Sequence, residues 1–256
     1  MEKMISRFVL CCWMVAPAML LAQAPAPLPR VIVRDDGMWV EPGDRRPVRV
    51  SENNFCNSVQ QVEWIESGRL AVECHINPSL EEYFEVDVVG GRTTKDLLGY
   101  WFERSPDRQK VAHVGWIPHF APAYAKSNSL QIDGKTVYPA GDGASRDASL
   151  AERRGAVYVG IHDFHSGLSW SPDGTRVALL ERVFDWQPDG PDSNAGTELN
   201  GREFLVVAGE AGAAMRMEIA KPAGEAQIVW TSGDTLVYSW AGVQRTVRID
   251  QGRLTQ

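Results

Sequence analysis

A short pattern centred on a tight turn recurs four times along this chain, and few folds accommodate such a recurrence. Each copy has an aromatic or apolar strand end, a polar turn and then a short apolar strand. With positions 64, 104, 170 and 230 taken as equivalent, the spacings are 40, 66 and 60 residues. Spacings of this size fit one four-stranded sheet per copy, joined by connections of variable length. The four copies span residues 62–74, 101–115, 168–181 and 228–240.

The turns have a stereochemical explanation. The third copy has the sequence S-P-D-G at residues 171–174, and the second has S-P-D-R at residues 105–108. Proline presets φ for the first corner, aspartate tolerates the second, and glycine takes the left-handed position from which the next strand departs. Arg108 occupies the glycine position in the second copy, so some backbone strain is predicted there. The first and fourth copies have shorter turns.

The turn motif resembles a known repeat. Residues 170–179, W-S-P-D-G-T-R-V-A-L, closely resemble the repeat of TolB-like β-propellers, and residues 105–112 resemble it well. The resemblance covers about residues 62–240 and implies an all-β fold, a small β-propeller of about four blades, with five as the alternative. An open two-sheet sandwich is the other fold that many short strands suit. The resemblance implies an architecture but no particular activity, because one fold hosts many functions.

Further strands are predicted between the copies. Hairpins are expected across Gly90-Gly91, across Asp133-Gly134, and between residues 204–208 and 215–219. Residues 31–50 contain two or three short strands without a turn of this kind, and we predict that they pair with the last blade and close the ring. One helix is predicted at residues 149–154. The propeller domain is therefore expected to span residues 31–256.

The N-terminal residues have the organisation of a secretory signal peptide. Lys3 and Arg7 form a short basic region, and the apolar run of residues 8–22 follows it, before a cleavage site between small residues. Residues 1–24 are interpreted as the signal peptide and residues 25–30 as a Pro/Ala-rich tether. The alternative is an uncleaved anchor, although a bilayer-spanning helix needs about 20 apolar residues. We predict a periplasmic or secreted protein with no membrane span after cleavage.

The charge balance and the cysteines narrow the partners and the compartment. The chain has 26 basic and 33 acidic residues, which is a formal net charge of −7. An acidic surface repels phosphate backbones, so nucleic acid is not expected as a partner. Cys56 and Cys74 are the cysteines outside the predicted leader. In an oxidising compartment they most simply form a disulfide, and two buried free thiols are the alternative.

The longest connections between the predicted strands fall on one side of such a propeller. If the turns of the repeats lie at one face of the disc, residues 116–128, 140–167 and 183–202 lie at the other. Long loops on a rigid scaffold often form binding sites, and aromatic, carboxylate and imidazole groups suit a protein, peptide or glycan. The predicted binding residues are Trp116, His119, Tyr124, His162, Asp163, His165, Asp185 and Trp186.

Three hypotheses about function are compatible with this sequence. The favoured one is an exported binding or scaffold protein that presents the loop-rich face to its partner. The alternative is an enzyme, a metal-assisted hydrolase or lyase that uses His162 and His165. The third is a structural accessory subunit, and the oligomeric state is left open. The sequence has no P-loop, dinucleotide-binding fingerprint, H-E-x-x-H or G-x-S-x-G motif, so no catalytic residue, metal or cofactor is predicted.

Overall fold

The structure is a computed structural model, and it describes residues 30–34, 36–41, 46–51, 56–77, 80–115, 127–139, 152–190, 193–211, 213–220, 226–240 and 243–256. All regular structure within these residues is β-strand, in twenty strands that form four antiparallel sheets. A helix with the length and apolar character to span a membrane is not found in these segments. The all-β prediction is confirmed for this part of the chain.

The first sheet contains three strands in sequence order, β1 (Arg30–Arg34), β2 (Gly37–Glu41) and β3 (Val48–Ser51). The prediction that these strands pair with the last blade is wrong, since within the described residues they pair with one another. Met38 and Val40 of β2 are buried against the sheet that follows in sequence. These strands therefore pack on the sheet that is nearest to them in sequence. The fourth strand of the last sheet is supplied by the C-terminal residues instead.

The second sheet has seven strands, β4 (Ser58–Glu66), β5 (Arg69–Asn77), β6 (Leu80–Asp87), β7 (Arg92–Arg104), β8 (Val111–Gly115), β9 (Leu130–Ile132) and β10 (Lys135–Tyr138). Residues 92–99 of the central strand, β7, pair with β6, whereas residues 99–104 pair with β8. The change occurs at a bulge, where Trp101 has a φ of 58°. The hairpins predicted across Gly90-Gly91 and Asp133-Gly134 are confirmed.

A disulfide bond joins Cys56 to Cys74, whose Cα atoms are 5.5 Å apart. Cys74 lies on β5 and is fully buried, and Cys56 lies just before β4. Both side chains belong to the apolar core between the first and second sheets. The bond therefore fastens the start of β4 to the core that the N-terminal sheet covers.

The third sheet contains β11 (Glu152–Arg154), β12 (Val157–Phe164), β13 (Ser169–Trp170), β14 (Val177–Pro188), β15 (Gly196–Ala208) and β16 (Met215–Ile219). It is built around the two long strands β14 and β15, which pair with each other. β13 pairs with the first residues of β14, and β16 pairs with residues 203–207 of β15. The outer halves of β14 and β15 therefore project beyond β13 and β16, with β11 and β12 along one edge.

Two local predictions are wrong in this sheet. Residues 152–154 of the predicted helix form β11, because Gly155, with a φ of 63°, turns the chain back so that β11 pairs with β12. The rest of that predicted helix lies outside the described residues. Large parts of the loops predicted at residues 140–167 and 183–202 are strand, because backbone pairing continues beyond the packed core.

The fourth sheet completes a series in which each sheet packs on the next one in sequence. Its strands are β17 (Ala226–Trp230), β18 (Thr235–Trp240), β19 (Val243–Asp250) and β20 (Arg253–Thr255). One apolar core joins the second and third sheets, around Ala112 and Leu179. Another joins the third and fourth sheets, around Leu205 and Leu236. Four sheets in face-to-face succession differ from the two-sheet sandwich and resemble the blades of a propeller.

The turns of the second and third copies have the same geometry. Arg108 has a φ of 60° and Gly174 a φ of 66°, so the predicted left-handed position is confirmed in both. In each turn the serine Oγ donates a hydrogen bond of 2.6 Å to the aspartate Oδ1 two residues later. A Cβ atom on Gly174 would lie 3.7 Å from the Ser105 side chain. The two turns are therefore neighbours at one end of the stacked sheets.

Tryptophan side chains link consecutive copies of the repeat. The Nε1 of Trp170 donates to the backbone carbonyl of Glu103, and the Nε1 of Trp230 donates to that of Ser169, each at 2.9 Å. Each acceptor is the residue just before the equivalent position of the preceding copy. The same side chain thus connects the third sheet to the second and the fourth sheet to the third, which explains the tryptophan at this position of the third and fourth copies.

Replacing Gly174 with alanine is expected to lower the free energy of unfolding by about 1 kcal/mol, because a side chain at positive φ is strained. Space is not the cause, since the nearest side-chain atom would be 3.7 Å from the new Cβ. Arg108→Gly is the matched variant. It relieves the same strain but removes the 3.1 Å hydrogen bond from Arg108 to the Ile65 carbonyl, so a smaller net change is expected. Urea unfolding measures both, and an unchanged midpoint for Gly174→Ala would contradict the prediction.

Candidate functional site

Five of the eight predicted binding residues lie in the described part of the chain, all in the third sheet. His162 and Asp163 are in β12, and His165 follows that strand. Asp185 and Trp186 are in the outer half of β14. The remaining predictions, for Trp116, His119 and Tyr124, fall outside the described residues.

The pleat of the third sheet divides these side chains between its two faces, because successive residues of a strand point in opposite directions. His162 and Asp185 lie on the face that packs on the second sheet. Asp163, His165 and Trp186 lie on the opposite face, which continues into the core shared with the fourth sheet. The structure therefore brings three of the predicted residues to a common surface and separates the other two from it.

We call the surface with Asp163, His165 and Trp186 the arginine face, because Arg182 lies at its centre. The Nη2 of Arg182 pairs with Oε1 of Glu198, and its Nε lies 3.6 Å from Oε1 of Glu203. The Nε2 of His165 lies 3.1 Å from Oε2 of Glu203. Partial desolvation raises the pKa of Asp163, while the nearby His165 and Arg182 oppose that rise. The face consists of Asp163, His165, Arg182, Phe184, Trp186, Glu198 and Glu203.

Aromatic rings accompany the charges on this face. The guanidinium of Arg182 lies 6.0 Å from the centre of the Phe184 ring. Tyr158 is the cross-strand partner of Trp186, and the guanidinium of Arg153 lies 5.5 Å from the Tyr158 ring. These rings are half-buried. Arg182 and Phe184 were not among the predicted binding residues, although the alternation in R-V-F-D-W at residues 182–186 indicates a strand with one distinct face.

The opposite face contains a buried carboxylate network. Glu181 is fully buried, and its Oε1 lies 2.7 Å from Nδ1 of His162. Its Oε2 accepts a hydrogen bond from the Tyr138 hydroxyl and lies 3.1 Å from Nε of Arg216. Burial, with the Glu181 charge beside it, raises the pKa of the Tyr138 phenol. His162 is thereby held in a network that ties the second sheet to the third.

Asp185 has a structural role in the same sheet. Its Oδ1 accepts a 2.9 Å hydrogen bond from the backbone N–H of Gly160, and its Oδ2 accepts a 2.8 Å hydrogen bond from Asn200. These two hydrogen bonds lower the pKa of Asp185. Gly160 and Asn200 have φ values of 64° and 56° and lie at irregularities of β12 and β15. The carboxylate therefore stabilises the bends that shape the projecting strands.

The histidines of the metal-enzyme hypothesis are not brought together. His162 and His165 lie on opposite faces of the third sheet, and each contacts a different glutamate. Among the described residues, no group of three His, Cys, Asp or Glu side chains is arranged to hold a metal ion. The described part of the chain therefore provides no donor set that would favour this alternative over binding.

A cleft of about 440 Å³ in the second sheet was not predicted from the sequence. Two of its glutamates, Glu63 and Glu73, lie on neighbouring strands, and the third, Glu103, is near the end of β7. Polar residues at alternate positions of β4 were the available signal, but residues from β7 complete the cleft. We call it the glutamate cleft. Its lining residues are Gln61, Glu63, Ala71, Glu73, Tyr83, Phe102, Glu103, Arg104, Ser105, Pro106 and Arg108.

The carboxylates of the glutamate cleft are in an unfavourable environment. Desolvation raises the pKa of Glu73, and the charges of Glu81 and Glu103 raise it further. Desolvation also raises the pKa of Glu103. Burial, together with the charge of Arg108, lowers the pKa of Arg104, which forms an ion pair with Glu63.

No protein-family model and no curated protein matches the sequence. Among solved structures, the chain is similar to the hydrazine synthase of Kuenenia stuttgartiensis, with 11% identity and a TM-score of 0.41, over 87% of this chain and 61% of that one. It is similar to the β-propeller domain of the Trilobed protease from Pyrococcus furiosus, with 13% identity and a TM-score of 0.30, over 86% and 82% of the two chains. It is also similar to puromycin hydrolase, with 15% identity and a TM-score of 0.28, over 88% and 42%. TM-scores below 0.5 do not identify a shared fold.

Proposed function

We propose that the protein is an exported binding protein whose stacked sheets form a small, open β-propeller of about four TolB-like blades. Three observations support this architecture. The S-P-D turns of the second and third copies are neighbours, tryptophans link the last three copies, and three apolar cores join sheets that follow one another in sequence. In a propeller each blade packs face to face on the next blade in sequence. A two-sheet sandwich does not require such a succession of packed sheets.

The proposed compartment is the periplasm or the cell exterior. Its support is the leader-like sequence of residues 1–24 and the disulfide between Cys56 and Cys74. A disulfide of this kind persists in an oxidising environment and is rare in the cytosol. The acidic net charge of −7 makes nucleic acid an unsuitable partner for such a protein.

The arginine face is the proposed binding surface, and the observation that carries the proposal is its composition. Asp163, His165 and Arg182 share one face of the third sheet with the rings of Phe184 and Trp186, where the outer half of β14 projects beyond β13. Amphipathic rings supply apolar contact area at low entropic cost, while the flanking charges supply directed hydrogen bonds. This combination of aromatic rings and charges suits the binding of a protein, peptide or glycan ligand.

Arg182→Gln is expected to weaken binding of the native partner by about tenfold or more, which is the typical loss of one charge-assisted hydrogen bond. Glutamine keeps a hydrogen-bonding group beside Glu198 and Glu203 but removes the charge. The partner would be captured from a periplasmic extract on immobilised wild-type protein, identified, and then titrated against the wild type and the variant.

Arg202→Gln is the matched control, because Arg202 is an arginine on the adjacent strand at the position facing Val183, on the opposite face of the sheet. Its side chain is 60% exposed, and its loss should leave the affinity unchanged. If Arg182→Gln still binds the partner at full strength and Arg202→Gln does not, the binding surface lies on the other face of the sheet. Failure of the wild type to capture any partner would overturn the proposal.

A further inference from the structure

The interface between the first and second copies of the repeat is built differently from the two interfaces that follow it. Tryptophans link the later copies, but the equivalent residue of the second copy is Arg104, which forms an ion pair with Glu63 of the first copy. The strand register extends this comparison, because Ala71 pairs with the residue before the tryptophan position of the first copy, as Ala178 does in the third. The sheets can therefore be compared residue by residue.

Carboxylates occupy core positions of the first copy at this interface. Two residues after Ala71 comes Glu73, whereas Leu180 has the equivalent position in the third copy and is fully buried. The cross-strand partner of Ala71 is Glu85, whereas the equivalent residue of the third copy is Val207. Polar groups therefore stand where the interface between the third and fourth copies has aliphatic side chains.

The second copy contributes a buried imidazole to the same interface. His113 is 1% exposed, and within the described residues neither of its ring nitrogens has a hydrogen-bond partner of good geometry. Leu179 has the equivalent position in the third copy, as the pairing of Val111 and Val177 shows, and it lies in an apolar core. Burial of a polar group without a hydrogen bond is unfavourable. Closing this interface therefore has a free-energy cost that the leucine does not have.

The contacts that hold this interface closed are limited. Phe102 packs on Tyr83 with the ring centres 5.4 Å apart, and Val111 belongs to the same small core. Lys95 and Asp133 form an ion pair at 2.5 Å, and ion pairs of partly exposed side chains contribute little because water replaces them. The glutamate cleft lies between the two copies. We call the interface the seam, and its residues are Glu63, Ala71, Glu73, Tyr83, Glu85, Phe102, Arg104, Val111 and His113.

A single strand continues across the seam. Within the described residues, β7 is the strand that pairs with both halves of the second sheet. Its pairing changes at Gly99, and two residues later Trp101 has a φ of 58° and is 41% exposed. A bulge of this kind is a place where a strand bends. Residues 30–99 have their own core, which includes Met38 and Val40, and can therefore move as a unit.

We propose that the protein opens at the seam, with residues 30–99 rotating about the bulge of β7 against the part of the chain that follows. Opening hydrates the cleft glutamates and the imidazole of His113, while the hydrogen-bonded strands on both sides stay paired. Hinge motions use a few residues at the end of an element to absorb the change in backbone angles. The apolar cores around Leu179 and Leu205 keep the later interfaces closed, so the movement is confined to the seam.

Thiol labelling of the native protein tests this proposal. Ala71→Cys and Val111→Cys place a thiol on each side of the seam. Ala178→Cys and Val177→Cys place one at the equivalent positions of the third sheet, in the two apolar cores. All four wild-type side chains are 3% exposed or less. The labelling is carried out without reductant, so that the native disulfide stays intact.

Both seam thiols are expected to react at similar rates, at least about tenfold faster than the two controls, because local opening needs less free energy than global unfolding. Equal rates at all four positions would overturn the proposal. Fast reaction of Ala71→Cys alone would also overturn it, since local unfolding of β5 exposes that side chain without a hinge. Urea unfolding of the four variants accounts for differences in their global stability.

A second substitution is expected to close the seam. In the Ala71→Cys protein, His113→Leu introduces the leucine of the third copy and removes the unpaired imidazole, so labelling should slow by about tenfold. Glu66→Leu is the control, because Glu66 is 59% exposed and does not line the cleft, and the rate should not change. An unchanged rate in His113→Leu, or equal slowing in both variants, contradicts a hinge at the seam.

Discussion

Replacing Glu181 with alanine is expected to lower the free energy of unfolding by about 3–5 kcal/mol, the cost of removing one partner from a buried charge network. Glu181 is fully buried, with Phe164 and Phe204 as its cross-strand neighbours. Its removal leaves the Tyr138 hydroxyl without its acceptor and Arg216 without its anion. The network also connects the second sheet to the third, so the loss acts on their interface. Urea unfolding followed by tryptophan fluorescence measures the change.

Glu218→Ala is the matched control for this prediction. Glu218 lies on β16, opposite Phe204 of β15, and its side chain is 59% exposed. Its contact with Arg202 at 3.7 Å is a surface ion pair, for which a cost of about 0–1 kcal/mol is expected. Equal costs for Glu181→Ala and Glu218→Ala would show that the buried network does not stabilise the protein.

Between about pH 6.5 and pH 4, the ionisation of His113 is expected to reduce the free energy of unfolding by roughly 3 kcal/mol in total. His113 lies on β8, is 1% exposed and packs on Phe102. Burial lowers its pKa from 6.5 to about 4, against the opposing effects of Gln131 and Asp133. Between these values the unfolded imidazole holds a proton and the folded one does not. The unfolded state therefore binds more protons, and stability is lost as the pH falls.

The effect of His113 has to be separated from that of Glu82, which has the opposite sign. Desolvation and the nearby Asp96 charge raise the pKa of Glu82 to about 7, so the folded state holds that proton and gains stability as the pH falls. The measurement is therefore the difference in unfolding free energy between the wild type and His113→Leu as a function of pH. Below neutral pH this difference should shift in favour of the leucine variant. A constant difference between pH 4 and pH 7 is the outcome that contradicts the prediction.

Local geometry was predictable from the sequence because it depends on a few adjacent residues. φ preferences and turn chemistry predict the left-handed conformation of Gly174 and of Arg108, which has the equivalent position in the second copy. They also predict the hairpin across Asp133-Gly134. Residues 152–154 were misassigned to a helix because the sequence S-L-A-E-R-R at residues 149–154 has good helix propensity. Pairing of residues 152–154 with β12 outweighed that preference.

The candidate sites were only partly predictable, because they depend on which face of a strand a residue occupies. His162 and Asp163 are adjacent in sequence, yet one contacts Glu181 and the other lies on the arginine face. Glu181 follows an apolar run and gives no sign in the sequence of its three partners, of which His162 and Arg216 lie on other strands of the same sheet and Tyr138 lies across the sheet interface. Strand register and the irregularities near Gly160 and Asn200 decided these positions.

From its residues alone, this chain specifies a series of antiparallel sheets marked by repeated turns, since strand alternation and turn stereochemistry act over fewer than about ten residues. The partner of the N-terminal strands and the convergence of Glu73 with Glu103 were decided by packing between segments distant in sequence. Met38 and Val40 are buried against the second sheet, so the first sheet packs on the second sheet and does not pair with the last one. Free energy gained by burying apolar area is not directional, so short-range patterns cannot specify which faces meet.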